Sequence, residues 1–134
     1  MKILVPVDES EQSHEALRYA HETFPHAEIT ALHVIAADSY WTAFADDSVA
    51  VPGYERARKR AEALLDASRN ETPEIETRIE TGSPAHEIVD YAGKGGFDAV
   101  VIGSHGRTGA ARILLGSVAE TVARRSPVPV TIVR

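Results

Sequence analysis

Four residues in the stretch GSHGRTGAARILLGS, residues 103–117, have types and spacing suited to chemistry. Gly103 and Gly106 are separated by two residues, and Gly116-Ser117 follows after the nine residues RTGAARILL. Glycine admits positive φ and lets main-chain N–H groups approach a ligand closely. Successive free N–H groups form an anion-binding concavity, strengthened where a helix begins. The chemistry expected is therefore the holding of phosphate groups by backbone amides. Gly103 and Gly106 would shape the first turn. The amides of Gly116 and Ser117, with the Ser117 hydroxyl, would hold a second phosphate at a helix start. Ile113-Leu114-Leu115 would pack that second turn in place. SVAE, from Ser117 to Glu120, also fits a capping box with Ser117 as N-cap. Capping and phosphate binding coexist at one helix N-terminus. This is not a Walker loop, because no lysine precedes Ser117. Nor is it the dinucleotide fingerprint, since the first strand-to-helix turn, VDESEQS, contains no glycine.

The phosphate loop needs a scaffold, and the hydrophobic pattern supplies one. KILVPV reads as a strand at about 2–7, and Ser10 caps a helix over about 11–23 whose apolar positions are Ala16, Leu17 and Ala20. EITALHVI is a second strand, about 28–35. Residues 36–52 have no period and read as a long loop, in which Tyr40, Trp41 and Phe44 form either a lid or partner patch or a packing cluster. A charged amphipathic helix spans about 53–69, and a strand spans about 74–81. GSP then opens a helix that GKGG ends, FDAVVIG is the fourth strand, a helix spans about 117–125, and SPVPVTIVR holds the fifth strand.

The order βαβαβαβαβ with continuous Val/Ile/Leu runs predicts an α/β fold of Rossmann-like type. It is a doubly wound parallel sheet with helices on both faces and a single domain over 1–134. Ligands in such sheets bind beyond the C-terminal strand ends. Those ends are Val7-Asp8, Val34-Ile35 and Gly103. Asp8 is a ligand candidate, because Ser10 is the better placed cap. His33 reads as a hydrogen-bonded core or dimer residue, and His14, His21, His26 and His86 as solvated. No histidine pair has metal-site spacing with a carboxylate partner, which disfavours zinc. No general base stands beside the loop, which disfavours efficient phosphate chemistry. The fifth strand carries two prolines and reads as an edge, which pairing with a second copy through Val128, Val130 and Ile132 would cover.

Composition bounds the partners. The chain has 134 residues and no cysteine, so disulfides and thiolate chemistry are excluded. The net charge of −6 disfavours nucleic acid. Residues 103–134 nonetheless hold five arginines against one acid, Glu120, a net +4, while residues 1–102 hold nine Lys/Arg against nineteen Asp/Glu, a net −10. A small anion is favoured at the glycine-rich end. Arg124 and Arg125 also suit a helix C-terminus, whereas Arg107 and Arg112 lie in the loop itself. No apolar stretch approaches the ~20 residues that span a bilayer, and no signal peptide is evident, so a cytoplasmic protein is expected.

The sequence resembles a small universal stress protein. The resemblance rests on the motif at Gly103, Gly106, Gly116 and Ser117, and on the start ILVPVDES, the strand LHVI, the GSP after the third strand and the ending PVPVTIVR. It implies a five-stranded parallel sheet of the adenine nucleotide alpha hydrolase-like type, homodimerisation through the last strand, and ATP binding. By position, Asp8 would contact ribose or phosphate, Val34 would hold adenine through its backbone, and Pro6 and Val7 would line the adenine pocket. Gly103, Gly106, Gly116, Ser117 and Val118 would line the triphosphate, with His105 and Arg107 as added donors and Mg²⁺ or Mn²⁺ bridging phosphate oxygens. The implied role is a nucleotide-dependent regulatory or stress-response module. A slow ATPase and a nucleotide-independent interaction dimer are the alternatives.

Overall fold

The computed structural model describes residues 1–36, 52–104 and 115–134. Within them five strands, β1 (Lys2–Pro6), β2 (Glu28–Ala36), β3 (Glu76–Gly82), β4 (Ala99–Gly103) and β5 (Val130–Val133), alternate with four helices. The helices are α1 (Glu11–Thr23), α2 (Pro52–Glu71), α3 (Pro84–Lys94) and α4 (Ser117–Arg125). All strand pairs are parallel, in the order β3-β2-β1-β4-β5. The chain winds outward from β1 to β3, returns to β4 beside β1, and ends at β5. The switch in strand order therefore lies between β1 and β4, where a doubly wound sheet opens a crevice at its C-terminal edge.

Side chains alternate across each strand, so the continuous apolar runs feed two cores at once. Ile3, Val5 and Val101 pack with Leu17 and Leu65, under α1 and α2. Leu4, Leu32 and Val100 pack with Ile88 and Val122, under α3 and α4. At the opposite end of the sheet Lys2 acts as a clamp. Its N–H donates to Asp98 Oδ2 at 2.8 Å, and its Nζ donates to the Gly95 carbonyl at 2.7 Å and sits 4.8 Å over the Phe97 ring.

The elements match the sequence reading with small shifts at their ends. β3 starts at Glu76 rather than residue 74, because the Ile75 N–H turns back to the Thr72 carbonyl. β5 is only four residues long. Pro127 and Pro129 have no N–H for a ladder, and Ser126 Oγ brackets Val128 by donating to its carbonyl and accepting from its N–H. Val128, Val130 and Ile132 turn their side chains onto the α3–α4 core of their own chain. The main chain, not these side chains, forms the outer edge. Pro129 and Val133 accept bonds from β4, so by alternation the N–H groups of Val130 and Ile132 face away from the sheet. Among the described residues no helix is long and apolar enough to cross a membrane. Most of the loop 36–52, with Tyr40, Trp41 and Phe44, lies outside the described residues.

Candidate functional site

A cleft of about 440 Å³ opens at the C-terminal ends of β1, β2 and β4. Pro6, Val7 and Asp8 line it from β1 and its turn, Val34 from β2, Gly103 from β4, and Gly116, Ser117 and Val118 from the start of α4. These eight residues come from four separate stretches, and the topological switch brings them together. His105, Gly106 and Arg107 lie outside the described residues, as do Arg112, Ile113 and Leu114. Leu115 lines the cleft and is exposed rather than packed beneath the turn.

The wall on the α3–α4 side is apolar: Leu32, Val34, Ile88, Ile102 and Val118 lie on that core. The other wall is polar, built from Asp8, Ser10, Ser13 and His33. The polar wall is a tight turn held by its own side chains. Ser10 is the N-cap of α1 and accepts from the Ser13 N–H at 3.3 Å. The Ser10 N–H and hydroxyl both donate to Asp8 Oδ1, the N–H at 2.7 Å. The buried Ser13 hydroxyl accepts from the Asp8 N–H at 3.0 Å. Asp8 is thus oriented by the cap of α1 while its carboxylate stays on the cleft wall.

Gly103 has a different reason to be glycine from the one expected. Its φ lies outside the left-handed region. A Cβ there would stand 2.6 Å from both C and O of Gln12 and 2.9 Å from Ser13 N, all backbone atoms. The first turn of α1 packs directly on the end of β4, and only a residue without a side chain permits that approach. This contact brings the Asp8–Ser13 turn to the cleft.

The second glycine also departs from expectation. Gly116, not Ser117, is the N-cap of α4, and no described side chain caps it. The Gly116 N–H donates to the Ser104 carbonyl at 2.8 Å and ties the two ends of the loop together, so it is not available to a phosphate. Gly116 O accepts from the Glu120 N–H, which places Ser117 inside the first turn. The capping box does not form; Glu120 pairs with Arg124 instead. The amides directed at the cleft are those of Ser117, Val118 and Ala119, which have no acceptor within their own helix. Arg124 and Arg125 occupy the last turn of this nine-residue helix. That is roughly 13 Å from its start, so they complement the helix C-terminus and not the cleft.

The β1–β2 ladder ends at the cleft. Pro6 pairs with Leu32, and the Val7 N–H donates to the Leu32 carbonyl at 2.8 Å. The next rung would join the Val34 N–H to the Val7 carbonyl. The pairing stops short of it, and His33 Nδ1 lies 2.8 Å from that carbonyl instead. A carbonyl only accepts, so Nδ1 carries the hydrogen. Alternation directs the N–H and C=O of Val34 to the side that β1 has left, into the cleft.

The universal stress protein family model matches residues 1–134. The chain belongs to the universal stress protein family. It is 34% identical over 138 residues to universal stress protein MJ0531 of Methanocaldococcus jannaschii, covering 99% of this chain and 81% of that one. It is 32% identical over 145 residues to YxiE of Bacillus subtilis, covering 99% and 98%. Among solved structures it superposes on MJ0577 with a TM-score of 0.83 at 31% identity, over 98% of this chain and 94% of that one. It superposes on a universal stress protein in complex with cAMP with a TM-score of 0.75 at 28% identity, over 100% and 97%.

In this universal stress protein the sequence reading missed part of the lining. Ser10, Ser13, Leu32, Pro84, Ile88, Ile102 and Ala119 line the cleft without being sequence candidates, and His33, expected as a hydrogen-bonded core or dimer residue, lines it too. Leu32 was legible as the neighbour of Val34 on the same strand face. Pro84 and Ile88 were not, because α3 reaches the cleft only by crossing over the sheet.

Proposed function

We propose that this chain binds ATP in the cleft and acts as a homodimeric, nucleotide-dependent regulatory module in the cytoplasm. The observation that carries the reading is the convergence of an uncapped helix start with an unpaired strand end. The amides of Ser117, Val118 and Ala119 suit the triphosphate, since an N-terminal turn attracts anions. The Val34 N–H and C=O offer a donor beside an acceptor, the complement of the N1 and N6 edge of adenine. The apolar wall of Leu32, Ile88 and Ile102 suits the faces of the base. Asp8 stands where the ribose or first phosphate would lie. Gly106, His105 and Arg107 would complete the loop around the phosphates.

Asp8 is the one carboxylate of the lining, and no group of three or more His, Cys, Asp or Glu comes together among the described residues. Among the described residues the cleft thus offers a metal ion a single carboxylate. Mg²⁺ or Mn²⁺ would arrive on the phosphate oxygens. The outward N–H groups of Val130 and Ile132 would pair with a second copy of β5.

The test is thermal denaturation with and without Mg²⁺ and ATP. A ligand that binds only the folded state adds about 2.7 kcal/mol when present at 100 times its Kd. A rise in Tm of several degrees is expected. No shift at millimolar ATP, with no adenine nucleotide released on denaturing the purified protein, would reject the reading.

A further inference from the structure

His33 sits on the cleft wall, yet its Nδ1 is turned away to a main-chain oxygen. That oxygen is the Val7 carbonyl, the acceptor that the next rung of the β1–β2 ladder would use. With it taken, the Val34 N–H has no strand partner. We infer that His33 is a positioning residue that holds the ladder open by one rung and so keeps the Val34 main chain free to read a base edge. This rests on the nucleotide reading above and adds the source of its selectivity.

The His33 ring and the next rung of the ladder would use the same acceptor, the Val7 carbonyl. β1 ends at Pro6 opposite Leu32 while β2 runs on to Ala36, and the Val7 N–H just past β1 still bonds to the Leu32 carbonyl. Closing the next rung needs only the Val34 N–H and the Val7 carbonyl to meet. If it closed, the cleft would lose its donor, and a base could bind there only by breaking a backbone hydrogen bond. The imidazole prevents this by satisfying the carbonyl from the side chain, so no buried acceptor is orphaned while the amide stays free. A leucine or phenylalanine at this position could not donate.

Asparagine tests the role, because its amide Nδ2 donates from nearly the position of histidine Nδ1. The probes are ATP and inosine triphosphate, whose base presents a hydrogen at N1 and no N6 amine. Titration calorimetry on the wild type should show ATP preferred. In His33→Ala, ATP affinity should fall roughly tenfold, about one net hydrogen bond, and the preference over inosine triphosphate should shrink. His33→Asn should restore both. Hydrogen exchange followed by NMR gives a readout that needs no ligand. Without nucleotide, the wild-type Val34 amide should exchange faster than that of Leu32, and should become protected in His33→Ala. A protected Val34 amide in the wild type overturns the inference, as does a His33→Ala variant with unchanged ATP affinity and selectivity. A wild type that binds neither nucleotide but has an exposed Val34 amide overturns the ATP reading and leaves the ladder geometry standing. If His33→Ala fails to fold, the wild-type exchange rate and the selectivity of His33→Asn decide the matter alone.

Discussion

Gly103→Ala separates the two reasons a glycine could stand at the end of β4. The added Cβ would lie 2.6 Å from Gln12 C and O and 2.9 Å from Ser13 N. Ordinary contact begins near 3.4 Å, so α1 would have to move by roughly 0.8 Å, well beyond the few tenths of an ångström that cores absorb cheaply. The colliding atoms are main chain, so no rotamer change relieves them. The helix is also tied at its start by the Ser10 cap and the Ser13–Asp8 bonds. Overpacking of this kind destabilises by roughly 1–3 kcal/mol. For a chain of 134 residues this corresponds to a Tm lower by roughly 3–12 °C. The assay is calorimetric unfolding without nucleotide, where the ligand plays no part. A Tm within 1 °C of wild type would refute the packing argument. If such a variant had also lost ATP binding, the glycine would serve the ligand alone.

Gly116→Asp should separate stability from function: a carboxylate at the N-cap of α4 adds a cap and suits the dipole, for about 0.3–1 kcal/mol, while repelling the phosphate. A slightly raised Tm with loss of ATP binding is expected, and retained binding would place the phosphate elsewhere. Ser13→Ala removes the hydroxyl that accepts from the Asp8 amide and should lower unfolding free energy in urea by about 1–3 kcal/mol; a change under 0.5 kcal/mol would show the turn to be held without it. Ile132→Pro deletes an outward-facing N–H while leaving the β4 pairing intact. Sedimentation should then report a folded monomer, and an unchanged dimer would exclude backbone pairing at that edge. Gly106→Val should abolish ATP binding without altering sedimentation, and loss of folding would assign that glycine to structure.

Much of this molecule was legible because its signals are local. Period and strand-like runs placed α1 at residues 11–23 and α4 at 117–125, and the alternation of strands with helices determined a parallel sheet covered on both faces. The switch-point rule then named Asp8, Val34 and Gly103 as neighbours before any distance was known. What tertiary structure alone decided concerns who owns each hydrogen bond and each cubic ångström. The glycine at 103 makes room for α1, because a helix 90 residues earlier in the chain lands on it. The Gly116 amide closes the loop to Ser104, which moves the cleft-facing amides one residue on, to Ser117. His33 meets the Val7 carbonyl just where the β1–β2 pairing ends at Pro6 and Leu32. Residue types reveal which groups can donate or must be small. Only the packed chain, in which partners and space are already shared out, determines which of them remain open to the cleft.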